Sequence, residues 1–62
     1  MDNIEILDML DNLYRGVKDQ ELEGKVSRFY VKGRLHMLYS VASGMELEKE
    51  LDKIVEDVSN GK

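Results

Sequence analysis

Ile6, Leu10, Leu13, Tyr14 and Val17 recur at i, i+4, i+7, i+8 and i+11, and Leu47, Leu51, Ile54, Val55 and Val58 keep the same spacing near the other end of the chain. That is the spacing of one apolar stripe on an α-helix, where a half-buried strand would alternate every second residue. No proline occurs to force a break, and the segments are rich in Leu, Glu, Lys and Met, which favour helix. The boundary signals agree. Asp2 with Glu5 forms a capping box in its Asp variant, Ser43 with Glu46 gives the S-x-x-E box ahead of the last stripe, and Asn60-Gly61 fits a helix stop. Nothing else in the two segments aligns, so the shared spacing is ordinary patterning and not a repeat.

The middle of the chain, KVSRFYVKGRLHMLY at 25–39, is its only basic and aromatic stretch. Placed on a helix at about 100° per residue, Val26, Phe29, Tyr30, Gly33, Met37 and Val41 form one apolar face. Val31, Leu35, Leu38 and Ala42 form a second on nearly the opposite side, with Lys25, Arg28, Lys32 and His36 in a strip between them, continuing to Tyr39. A helix apolar on two sides belongs at the centre of a bundle with a neighbour on each, and Asp19 is its candidate N-cap. Gly33 lies among the large residues of the first face, where it allows another helix to approach closely. The competing reading is a β-hairpin, with Leu35, Met37, Tyr39 and Val41 alternating and Lys32-Gly33 as a two-residue turn. It lacks the Asn or Asp favoured in such turns. The expected architecture is therefore all-α, a small single domain of three helices at about 3–17, 20–42 and 45–59, with α-β-hairpin-α as the alternative.

Sixty-two residues make a marginal core. Small domains compensate with disulfides, a metal or a partner. The chain has no cysteine and one histidine, His36, so disulfides, thiolate zinc sites and a His-built metal site are excluded. Completion by oligomerisation, a dimer first of all, is the expectation. The acidic N-terminus is unlike a secretory leader, and no apolar run approaches a membrane span, so a cytoplasmic chain with no membrane contact is expected. The net charge of −4 conceals an acidic, basic, acidic order: residues 24–44 carry Lys25, Arg28, Lys32 and Arg34 and no acid.

Catalytic constellations are missing from the pattern. Ser40 stands four residues after His36, without the orienting acid and oxyanion site a nucleophile needs. Glu46, Glu48, Glu50 and Asp52 alternate, so on a helix they scatter round it and do not converge on a metal; no Gly-rich phosphate loop is present. The stretch ELDKIV at 50–55 is similar to the tail of the signature in two-helix aspartyl-phosphate phosphatases of sporulation control. That signature carries a serine and a glutamine ahead of Glu-Leu-Asp, where this chain has Glu48 and Lys49, so no membership follows.

The expected function is a non-enzymatic protein–protein interaction module or regulator without cofactor, acting through helix packing as a homo-oligomer or on a larger protein. The residues expected to pack are Leu10, Leu13, Tyr14, Phe29, Met37, Leu51, Ile54 and Val55. The alternative is a small nucleic-acid-binding regulator in which Lys25, Arg28 and Lys32 meet phosphates and Tyr39 stacks beside them. So few cations support only weak, salt-sensitive binding.

Overall fold

The computed structural model describes residues 2–61 and consists of three helices, α1 (Asn3–Leu22), α2 (Arg28–Gly44) and α3 (Glu48–Asn60), with no strand among the described residues. The Asp2 capping box is formed: its carboxylate accepts the Glu5 N–H at 2.9 Å, and the Glu5 carboxylate accepts the Asp2 N–H at 3.3 Å. From there α1 runs five residues past Val17, because no stop signal occurs before Gly24. Asp19, expected to cap the middle helix, is therefore inside α1. Gly24 takes φ +76, the left-handed conformation that costs a residue without Cβ nothing. Its N–H bonds the Glu21 carbonyl at 3.0 Å and the Lys25 N–H reaches the Gln20 carbonyl at 2.9 Å. This pair of bonds is the Schellman closure of a helix C-terminus. Ser27 then opens α2 by accepting the Tyr30 N–H at 3.1 Å.

The second connection repeats the closure with a different residue. Glu46 stands at φ 60, its N–H bonding the Ser43 carbonyl at 3.2 Å, while the Leu47 N–H bonds the Ala42 carbonyl at 2.7 Å. Ser43 and Glu46 thus end α2 and do not form the capping box expected at the start of α3. Leu47 occupies that N-cap position with no side-chain cap bond, and the Gly61 N–H closes the far end on the Asp57 carbonyl at 2.9 Å.

Connections of five and three residues between helices that pack on one another make an up-down-up bundle. All three pairs are in contact, so the cross-section is a triangle. Twenty residues at about 1.5 Å each let α1 span the 33 Å long axis. The core is Ile6, Leu10, Tyr14 and Val17 from α1, Val31, Leu38 and Ala42 from α2, with Leu47 and Leu51 closing it. Leu10 and Leu51 are fully buried, and no polar or charged residue is buried among the described residues.

The triangle overturns one expectation. In a three-helix cross-section each helix turns a single sector inward, so α2 buries one apolar face and not two. It buries Val31, Leu38 and Ala42, with Leu35 half-buried. The small Ala42 and Val31 suit the close axis approach of packed helices, about 8–10 Å in general. The opposite face, expected to be covered inside the bundle, is outside: Phe29 is 83% exposed and Met37 59%, and Leu13 on α1 is 43% exposed.

Candidate interaction surface

Nine large apolar side chains stand out of the fold on or near α1 and α2 among the described residues; Ile4 and Leu22 lie apart, and helical phase places the other seven together. On α2, Tyr39 marks the flank turned to α3, since its hydroxyl donates to the Asp52 carboxylate. At about 100° per residue, Tyr30, Met37, Val41 and Met45 fall on the other side of the buried line through Val31, Leu38 and Ala42. On α1, the flank turned to α3 is marked by Arg15, Lys18, Asp19 and Leu22, which share a shallow hollow with Val58. Met9, Leu13 and Gly16 lie on the flank away from it. Both exposed sets therefore belong to the α1/α2 face that α3 leaves uncovered, with Phe29 at its rim.

Large side chains of about 150–250 Å² each, roughly half exposed, leave on the order of 600 Å² of apolar surface on this face. That is the upper end of the largest patch found on ordinary monomers. The whole chain is similarly open. Its accessible surface is 4672 Å², against about 4100 Å² for a folded monomer of 7.2 kDa.

Two glycines sit on this face in helix interiors. Gly16 and Gly33 have ordinary helical backbone, and a Cβ added to either would meet nothing within 4 Å. The fold of one chain gives neither a reason to be glycine, yet each costs about 1 kcal/mol against alanine in a helix. Beside them the Arg34 guanidinium stands 6.0 Å from the Tyr30 ring centroid, a cation–π contact of order 0.5–1 kcal/mol at an exposed site.

The remaining predicted residues divide. Leu10, Tyr14 and Leu51 are core, and Ile54 and Val55 pack half-buried against it. The three outside, Leu13, Phe29 and Met37, are the ones available to a partner. Of the basic strip, Lys25 pairs with Glu23 at 3.2 Å on the surface. Arg28 and Lys32 line a second shallow hollow with Lys18, Glu21 and Val31. Glu21 holds Lys18 at 2.9 Å and raises its pKa, chiefly through that hydrogen bond. Tyr39 is separated from these cations in role: its bond to Asp52, aided by burial, pushes its pKa up to about 12 and ties α2 to α3. No group of three or more His, Asp or Glu side chains converges as metal ligands among the described residues, and no helix is long and apolar enough to cross a membrane.

Sequence reasoning missed Met9, Gly16, Arg34 and Met45. The first two sit beside the α1 stripe, and only the direction of α3 shows that their flank is open. Asp52 as the partner of Tyr39 joins residues on different helices, which periodicity along one helix cannot reveal. Set against known protein families, curated proteins and solved structures, the chain matches none of them.

Proposed function

We propose that the protein is a non-enzymatic interaction module whose working surface is the uncovered α1/α2 face. The observation that carries the reading is that the side of α2 with the bulkier apolar residues, Phe29, Tyr30, Met37 and Val41, is presented to solvent while its smaller aliphatic side is spent on the core. A helix or helix pair laid on that face would bury Tyr30, Met37 and Val41 at its centre and find the closest approach at the two glycines, the helix-in-groove mode of recognition. Aromatic and methionine side chains are enriched at such contacts. The outer helices α1 and α3 keep acids on their exposed sides, which supports solubility while the face is unoccupied.

A photo-crosslinking residue at position 37, in the cells that naturally make the chain, tests this against the same residue at position 49, exposed on α3. Position 37 should give a discrete crosslinked product that position 49 does not. Equal yields at the two positions would refute the module reading.

A further inference from the structure

We propose, resting on that reading, that the occupant of the α1/α2 face is a second copy of this chain, joined by a two-fold axis into a four-helix layer with each α3 on the outside. Charge supports this choice of partner. At the rim of this face stand one acid, Glu5 on α1, and one base, Arg34 on α2, while Arg15, Lys18, Asp19, Glu21, Arg28 and Lys32 line the hollows on the other side of the helix pair. A two-fold axis parallel to the helices sets α1 across from α2 of the other copy, so the rim that carries the acid meets the rim that carries the base.

Area points the same way. A standard interface takes about 800 Å² from each partner. The apolar patch, on the order of 600 Å², supplies most of that, and its polar rim, with Glu5, Asn12, Gln20 and Arg34, supplies the remainder. The notches at Gly16 and Gly33 gain their purpose here, since two helix pairs stacked face to face come nearest where Cβ atoms are absent. A 62-residue domain with nine buried residues is also the size that association commonly completes.

Sedimentation equilibrium on the full chain, from about 1 μM to about 500 μM, reads the weak-to-moderate affinity range expected of such a face. The expected result is a monomer–dimer equilibrium between 7.2 kDa and twice that mass. Met37→Glu should weaken it at least about thirty-fold, the size of a hot-spot loss, with helical content unchanged. Ile54→Glu on α3 distinguishes a folding defect, because it should lower thermal stability without a specific loss of dimer among folded molecules. In a mixture of isotope-labelled and unlabelled chains, intermolecular contacts should run from the Met37 methyl to Met9 or Leu13. A monomer throughout, or a dimer indifferent to Met37→Glu, overturns the second-copy proposal. If position 37 still crosslinks, now to a product heavier than two chains, the module stands and its occupant is another protein. If the chain is monomeric and position 37 crosslinks no better than position 49, both readings fall.

Discussion

Phe29→Ala separates the two possible places for the largest apolar residue of α2. In the structure Phe29 is 83% exposed, so roughly a sixth of its surface is out of water. Full burial of such a side chain is worth about 1.5–3 kcal/mol, and a sixth of that is about 0.3–0.5 kcal/mol. Alanine recovers a similar amount through its higher helix propensity. The net change for an isolated chain is then within about 0.5 kcal/mol, under about 4 °C in Tm for a domain of this length. A buried phenylalanine cut to alanine would lose 3–5 kcal/mol instead, about the whole stability of a domain this small. Urea unfolding followed by far-UV circular dichroism, in dilute protein, distinguishes the cases, and the slope with denaturant should not change because little surface moves. At a protein concentration about a hundred times higher, the wild-type midpoint should rise by mass action and that of the variant should rise less. A loss of 2 kcal/mol or more in dilute solution would refute the placement of Phe29 outside the fold, and with it the open face.

Leu51→Ala removes a fully buried side chain from the shortest helix; a loss of about 2–5 kcal/mol should abolish most cooperative unfolding at 25 °C, and a normal thermal transition would contradict the core. Glu46→Gly relieves a left-handed non-glycine residue and removes an acid from the C-terminal end of α2, so Tm should rise by about 4–8 °C, or about 1 kcal/mol; a fall would show that the Glu46 side chain stabilises the turn. Tyr39→Phe deletes the bond to Asp52 and should cost about 1 kcal/mol at pH 7, the modest value proper to a solvent-accessible bond. The Tyr39 pKa is raised to about 12 from about 10 when unfolded, so the wild-type advantage is complete below pH 10 and fades as pH rises through 12. Stability of the two proteins compared across that window checks it, and an advantage undiminished at the top of the window would refute the assignment.

The outer helices were legible because each has a single apolar stripe, and a single stripe leaves no choice of face. Their ends were less so. Ser43-x-x-Glu46 reads as a capping box in any sequence, and Asp19 reads as an N-cap, until it is known where the left-handed residues fall. Gly24 announces one of them by its composition, whereas Glu46 gives no such signal. Both apolar faces of α2 were legible, but which one alone stays inward was not. Phe29, Tyr30, Met37 and Val41 are larger than Val31, Leu35, Leu38 and Ala42 but include the Tyr30 hydroxyl, so transfer energies alone do not choose between the two faces. Packing fit favours the smaller set, with Ala42 and Val31 buried against the other two helices. The candidate surface follows from the same choice: whichever face α2 keeps inside, the other is left exposed.

Both inter-helix turns close on their own backbone, through bonds made within six residues. Each can therefore set the direction of the next helix before any distant contact exists, which removes most of the search from folding. Small helical proteins dominated by local contacts fold in microseconds to milliseconds. On the second-copy proposal, docking of two finished copies would be bimolecular and slower at ordinary concentrations. Refolding should accordingly show a fast phase whose rate ignores protein concentration and a later one that follows it, so that each molecule reaches its partner already shaped.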